Sequence, residues 1–387
     1  LGFINAGGYS YNNSTPGKGT SITGIGNPLL EWETTAQADA GIDIGLFKER
    51  IALSVDVYEK VTDNLLLNAD LPLTTGISSA YKNIGKMQNR GLEISLNTVN
   101  INTKDFNWSS NFNISFNQNE VLSLAENQNA LARRVRFDDG FNGVYSHISM
   151  VGQPLGQLFG LVWDGLYQVE DFEVSGTGTY VLKSNIPTNG NTRAVIQPGH
   201  VKYKDLNDDG NITTSDYTII GRGLPIHTGG FSNNFSYKGF DLNVLFQWSY
   251  GNDLINANRL IFEGSSRRSL NQFATYADRW SIENQDSVIP VVGGAGPNNY
   301  SSRIVEDGSY VRLKTVSFGY NISPAFAKQL GITSLRIYSS AQNLITWTNY
   351  SGPDPEVSVG FSNLTQGFDY AAYPRARTIT FGLNVSL

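Results

Sequence analysis

Apolar side chains recur at every second position in long stretches of this chain. Over the final ten residues, Ile379, Phe381, Leu383, Val385 and Leu387 take one face, and Thr378, Thr380, Gly382, Asn384 and Ser386 take the other. A period of two with one apolar face is the pattern of a half-exposed β-strand. Residues 34–46 repeat it, placing Ala36, Ala38, Ala40, Ile42, Ile44 and Leu46 opposite Gln37, Asp39 and Asp43. A polar turn follows at Lys48-Glu49-Arg50. Residues 51–61 then alternate Ile51, Leu53, Val55 and Val57 against Ala52, Ser54, Asp56 and Tyr58, which predicts a hairpin.

Two more hairpins read the same way. Leu92, Ile94 and Leu96 precede a turn at 102–105, and Phe106, Trp108, Phe112, Ile114 and Phe116 return from it against a face of Asn and Ser. Phe231, Phe235 and Tyr237 lead to Lys238-Gly239, and Phe240, Leu242, Val244, Phe246, Trp248 and Tyr250 return. The last strands are expected at 310–322, 334–347 and 375–387, with a short helix at 324–330 joining the first two. Residues 1–30, rich in Gly, Asn, Ser and Thr, read as a loop.

Connections alternate in length. Short ones fall at 48–50, 102–105, 238–239 and 324–333; long ones cover 62–86, 118–225, 251–308 and 348–374. Short turns on one side and long loops on the other are the habit of outer-membrane barrels, whose long loops lie outside. A segment that opens outside and ends inside crosses an odd number of times. Nine crossings are counted, and 118–225 adds two or none. Nine strands do not close an even-stranded barrel, and an open edge in lipid leaves backbone groups unpaired. The remaining strands are therefore expected from elsewhere, and the chain reads as the C-terminal piece of something larger.

Composition narrows the classes. No window approaches ~18 continuous apolar residues, so no helical span is expected, which leaves strands free to cross. There is no cysteine, hence no disulfide, thiol nucleophile or cysteine–zinc site. The net charge is −6 with scattered basic residues, which argues against nucleic acid as a partner. A water-soluble β-sandwich would also alternate. Against it, the expected strands run to 11–14 residues, where soluble strands average ~5–6. Aromatics also gather at strand ends, at Trp32, Phe47, Phe106, Tyr250 and Trp347, as interfacial girdles do.

Asp205-Leu206-Asn207-Asp208-Asp209-Gly210-Asn211-Ile212-Thr213-Thr214-Ser215-Asp216 has calcium-loop spacing. Asp205, Asn207 and Asp209 supply side-chain oxygens, Asn211 a carbonyl and Asp216 the closing carboxylate, around Ca2+ or Mg2+. An Asx-rich turn satisfied by its own backbone is the alternative. For catalysis the sequence offers little. His147, His200 and His227 each lie in an expected loop outside any nucleophile or metalloprotease context, and Asp138-Asp139 reads as a solvated turn. The run at Arg133, Arg134 and Arg136 reads as a solvated or partner-facing patch.

Aromatic rings in the long loops suit sugar or peptide side chains. Tyr145, Trp280, Tyr300, Phe368 and Tyr370 are the candidate substrate contacts, drawn from a set that also holds Phe141, Phe262, Phe273, Tyr276, Phe361 and Tyr373. Loop packing is the alternative for most of them.

Several segments resemble the SusC-like, or RagA-type, TonB-dependent transporters of the Bacteroidota outer membrane. The clearest is Asn343-Leu344-Ile345-Thr346-Trp347-Thr348-Asn349-Tyr350-Ser351-Gly352-Pro353-Asp354-Pro355-Glu356-Val357. Others are Asn27-Pro28-Leu29-Leu30-Glu31-Trp32-Glu33-Thr34-Thr35, Gly152-Gln153-Pro154-Leu155-Gly156, Asp164-Gly165-Leu166-Tyr167-Gln168, Tyr237-Lys238-Gly239-Phe240-Asp241-Leu242 and Tyr310-Val311-Arg312-Leu313-Lys314. One departure is Leu387, where that family usually ends in an aromatic.

The resemblance implies an all-β transmembrane antiparallel barrel of about twenty-two strands with an N-terminal plug, of which this chain supplies the C-terminal part. It implies import of a glycan or oligopeptide, energised through TonB, with a SusD-like surface lipoprotein as lid and outer-membrane lipid around the wall. Two other readings stay open on the residues alone: a soluble carbohydrate-binding β-domain with a calcium-stabilised loop, and a structural barrel or adhesin.

Overall fold

The computed structural model describes residues 3–387 apart from 11–15, 25, 71–73, 75, 78, 125–127, 142, 177, 265–269, 330 and 360–361. Its main element is a nine-stranded antiparallel sheet. The strands are β1 (Thr34–Leu46), β2 (Ile51–Asp63), β3 (Lys86–Asn102), β4 (Phe106–Ser123), β5 (His227–Tyr237), β6 (Phe240–Tyr250), β7 (Tyr310–Asn321), β8 (Ser334–Thr348) and β9 (Thr378–Ser386). Each pairs only with its neighbours in sequence, so the sheet is a continuous meander. The count satisfies the odd parity, and among the described residues 118–225 adds no strand to this sheet beyond the end of β4.

Turn chemistry explains the tight side. Lys238 (φ 46°) and Gly239 (φ 92°) both take the left-handed conformation, the type I′ pair that matches strand twist. A Cβ on Gly239 would sit 2.8 Å from the Asn321 carbonyl oxygen, so glycine is needed twice over. Phe47, Lys48 and Glu49 turn the first hairpin with φ of 54°, 57° and 63°. The helix α1 (Pro324–Gln329) joins β7 to β8 and opens on proline, whose fixed φ suits a first helical turn. Its expected last residue, Leu330, lies outside the described residues.

Register separates the two faces. One row runs Ile44, Leu53, Leu96, Phe112, Phe231, Phe246, Leu313, Ile345 across eight strands. The row on the other face runs Asp43, Ser54, Ser95, Asn113, Gly230, Gln247, Arg312, Thr346. In β7 the apolar positions change parity, from Val311 and Leu313 to Val316, Phe318 and Tyr320. A bulge between Leu313 and Thr315 absorbs the extra residue and keeps them on one face. The apolar face is bare: Ile42, Phe318, Ile337, Phe381 and Leu383 are all exposed. An exposed apolar face of this extent suits hydrocarbon rather than water.

The girdles also appear. Tyr250 and Trp347 lie at one end of the wall, and Phe106, Tyr237, Phe240 and Tyr320 at the other. Phe106 packs edge-on against Tyr237, and Phe240 lies 4.3 Å from Tyr320 between centroids. Strand β6 has eleven residues. At ~3.4 Å per residue and a tilt of ~40°, they span ~26 Å, the height of a membrane-facing apolar band.

The long connections fold into their own layer. Between β4 and β5, strands Ala130–Arg133, His147–Met150, Gln157–Gly160 and Thr218–Arg222 form a four-stranded sheet. A three-stranded sheet of Val305–Asp307, Asp253–Asn256 and Phe368–Asp369 ties the β6–β7 connection to the β8–β9 connection. The 1–30 segment departs from the loop reading: Phe3–Ser10 and Pro16–Gly24 pair as an antiparallel hairpin. Backbone pairing needs no apolar period, so Gly- and Thr-rich strands escape a pattern search.

Candidate functional site in the loop layer

The loop layer is fastened to the wall at a few points, each on a segment with its own polar chemistry. At Gly152–Gly156 the Gly152 amide donates to the Val121 carbonyl (2.8 Å), and the Val121 amide donates back to the Gln153 carbonyl (3.0 Å). The Leu155 amide donates to Asn119 Oδ1 at 2.7 Å. Near the start of β1, the Glu31 amide donates to Asn83 Oδ1, and Asn83 Nδ2 returns a bond to the Glu31 carbonyl. Glu33 accepts from the Leu66 amide at 2.8 Å.

The strongest clasp crosses from β7 to the turn after β8. Arg312 is 1% exposed and points to the polar face. Its Nη2 donates to Asp354 Oδ1 (2.5 Å) and its Nη1 to Glu356 Oε2 (3.1 Å). Lys314 and Arg375 also reach Glu356. Burial works against the Asp354 charge, yet the amides of Glu356 and Arg375 and the guanidinium together hold its carboxyl below the usual range. Pro353 and Pro355 flank Asp354 and stiffen the turn that presents it.

A second network lies deeper. Glu263 accepts from Arg259 and Arg303, and Glu306 accepts from Arg259, Asn256 and Ser351. Tyr350 donates to Asp369 Oδ2 at 2.5 Å, and Asp369 is fully buried. Burial raises the Asp369 carboxyl above its ordinary value. The sequence reading missed both networks, because partners tens of residues apart in irregular segments leave no period. The one available signal was Arg312 and Lys314 on a strand, followed by Asp354 and Glu356 at the same spacing.

Three candidate substrate aromatics serve as core. Tyr300 and Phe368 are fully buried and pack with Phe141, Leu158 and Ile255 in one apolar cluster. Trp280 is buried in a second cluster with Leu166 and Tyr203, and its indole donates to Gln168 Oε1. As placed, these rings offer no face to a solute. Tyr370 is half-buried, 4.6 Å from Phe137 between centroids. Tyr145 is exposed, with the Arg134 guanidinium 4.2 Å from its ring centre. Phe141 is buried; Phe262 and Phe273 pair at 5.3 Å; Tyr276 is partly covered; Tyr373 is exposed. Phe361 lies outside the described residues.

In the 205–216 loop, Asp205 Oδ1 and Asn207 Oδ1 converge on the Asp209 amide at 3.3 and 3.2 Å. Asp205 Oδ2 accepts from the Gly210 amide at 2.6 Å. The Asn211 amide donates to Asp209 Oδ1. Asp216 is fully buried and accepts from the amides of Leu206 (2.9 Å) and Thr213 (2.8 Å), so it clamps the two ends of the loop. The Asp205 and Asn207 oxygens thus meet on a backbone amide, the Asp209 carboxylate accepts from the Asn211 amide and Asn207 Nδ2, and the twelfth position is engaged by backbone. Among the described residues, no group of three His, Cys, Asp or Glu side chains is placed to hold a metal ion.

The three histidines sit in different settings. His147 is fully buried between the Ser146 hydroxyl and the Gln366 carbonyl, and burial pushes its pKa down to about 4. Burial also lowers His200. His227 is on the outer face of the wall, stacked 5.0 Å from Tyr250.

A nine-stranded wall with an apolar outer face, a polar inner face, aromatic girdles and a clasped loop layer defines a piece of an outer-membrane β-barrel. Residues 3–221 match the family model described as TonB dependent receptor-like, beta-barrel, and the chain belongs to that family. It is 37% identical over 376 residues to "TonB-dependent receptor P3" of Formosa agariphila, covering 95% of this chain and 35% of that protein. It is 26% identical to "TonB-dependent receptor SusC" of Bacteroides thetaiotaomicron, covering 93% of this chain and 32% of the other. The structure of the RagAB peptide transporter superposes with a TM-score of 0.77 at 24% identity, covering all of this chain and 38% of that one. The chain is of the SusC/RagA type, is located in the outer membrane, and spans about a third of the length of these relatives.

Proposed function

We propose that the whole protein imports a large hydrophilic nutrient, a glycan or an oligopeptide, across the outer membrane with energy delivered through TonB. In this reading the chain supplies part of the barrel wall and several external loops. The N-terminal barrel strands and plug complete the pore, and a SusD-like surface lipoprotein covers its mouth. One observation carries the reading: the wall is apolar outward and lined inward by Asn, Ser, Thr and Asp, a lining suited to a wet passage or to a packed plug. The names of the relatives point the same way. Chemistry on the cargo is not part of the proposal: the Ser146 hydroxyl that touches His147 is fully buried with it.

Ca2+ at 205–216 is proposed as a stabilising ion for the loop layer. The spacing of Asp205, Asn207 and Asp209 before the Gly210 turn supports it, with the Asp205 and Asn207 oxygens side by side at the Asp209 amide.

Uptake of labelled oligosaccharides and oligopeptides by cells carrying the full-length protein tests the transport reading. Accumulation of one class, abolished by a protonophore and by loss of TonB, is the expected result. Uptake that persists without TonB would contradict it.

A further inference from the structure

At the outer end of the polar face, β8 and the 349–377 segment enclose a cavity of about 310 Å³. The buried Arg312 forms part of its lining. Asn343, Thr346 and Thr348 face it from β8, and Arg375 and Arg377, both exposed, from the approach to β9.

The cavity carries a surplus of positive charge. Three guanidiniums line it against one carboxylate, that of Asp354. That carboxylate is fully engaged, because it accepts from Arg312 and from the amides of Glu356 and Arg375. Just beyond, Lys314 and Glu356 offset each other. Arg375 gives a single bond to Glu356, at 3.3 Å, and keeps its other donors. Arg377 forms no hydrogen bond or ion pair among the described residues.

Two lining residues also hold a buried polar atom without a partner: Arg312 Nε, a donor, and Asn343 Oδ1, an acceptor. Asn343 is in the left-handed conformation (φ 52°), and its Nδ2 donates to the Ala376 carbonyl at 3.0 Å. That bond fixes the amide and leaves Oδ1 to accept from another group. Buried polar atoms are seldom left unpaired, so the cavity suits a ligand that is anionic at one point and a donor at the next.

We propose that this cavity captures the C-terminal carboxylate of an oligopeptide cargo. Arg375 and Arg377 take the carboxylate in charge-assisted bonds, the Thr346 hydroxyl adds a donor, and Asn343 Oδ1 accepts the last peptide N–H. The inference rests on the transport reading and selects within it. A uronate would also satisfy the arginines, but a sugar ring wants an aromatic face, and among the described residues no aromatic ring lines the cavity. The loop-layer rings Trp280, Tyr300 and Phe368 are likewise closed to a sugar by burial.

The test uses the full-length receptor in nanodiscs and three ligand pools: random octapeptides without Asp or Glu as free acids, the same octapeptides as C-terminal amides, and oligogalacturonates. Ligand retained after washing is counted by mass spectrometry. The expected result is retention of the free acids over the amides by about tenfold, with oligogalacturonates held no better than the amides. Arg377→Gln breaks no bond among the described residues, so the barrel should migrate as folded with the preference lost. Thr346→Glu puts a carboxylate of its own into the cavity and should abolish the preference in the same way. Equal retention of acids and amides, oligogalacturonates held as tightly as the free acids, or an unchanged preference in either folded variant would each overturn the inference. Retention is read without TonB, so uptake that proves independent of TonB would contradict the transport reading and leave this result standing.

Discussion

Arg312 and Asp354 stand 42 residues apart in sequence and meet at 2.5 Å, with the guanidinium 1% exposed. The pair joins a strand of the wall to the first turn of the last long loop. Removing one partner leaves the other charge buried without compensation, which costs about 3–5 kcal/mol. Arg312→Ala is therefore expected to release the 349–377 segment while the wall stays folded. Limited proteolysis of the full-length protein checks this: new cleavage confined to 349–377 is expected, and an unchanged pattern would contradict it.

His147 gives the loop layer a pH dependence. Its pKa is lowered by burial from 6.5 to about 4, so the folded state holds it neutral. In the unfolded segment it takes up a proton as pH falls through 6.5. Its contribution to stability is thus complete above pH 6.5 and is lost between 6.5 and about 4. At about 1.4 kcal/mol per unit, the loss is on the order of 3 kcal/mol. Amide exchange at 147–158 should quicken over that window after correction for intrinsic rates. His147→Phe should flatten the response at that step.

Gly229 lies beneath the Trp248 indole, and a methyl there would also meet the Asn113 carbonyl oxygen at 2.4 Å. Backbone cannot yield as a side-chain tip can. Gly229→Ala is expected to destabilise the β4–β5–β6 wall by about 1–3 kcal/mol. A lower temperature for the loss of folded-barrel migration on a gel would show this. Ser232→Ala, on the opposite face of the same strand, should leave that temperature unchanged.

If Ca2+ binds at 205–216, submillimolar to millimolar Ca2+ should slow proteolysis of that loop. The double substitution Asp205→Asn with Asp209→Asn should remove the protection. Protection that survives the double substitution would place the ion elsewhere.

The wall was legible in the sequence because its physics is periodic. Ile94, Leu96 and Phe112 had to alternate to face lipid, and Lys238-Gly239 had to turn where it does. Boundaries ran long or short where period gave way to pairing. Strand β2 continues to Asp63 on hydrogen bonds alone, while β9 starts at Thr378 rather than 375. The loop layer was not legible. Its strands Ala130–Arg133 and His147–Met150 have four residues each, too few for a period to register. Rings such as Tyr300 and Phe368 carry no mark that separates a core role from a surface one. Arg312 and Glu356 are brought together only by the chain between them.

The central claim is that alternate residues of each strand face lipid and lumen. With no cysteine in this chain, single cysteines can be placed in β4 of the full-length receptor at positions 112, 113, 114 and 115 and spin-labelled in native-like membranes. The account expects collision with oxygen to dominate at Phe112→Cys and Ile114→Cys. At Asn113→Cys and Ser115→Cys, labels should be shielded from lipid and reached, if at all, by a water-soluble nickel reagent. Four positions equally open to the nickel reagent would contradict it and return the chain to water.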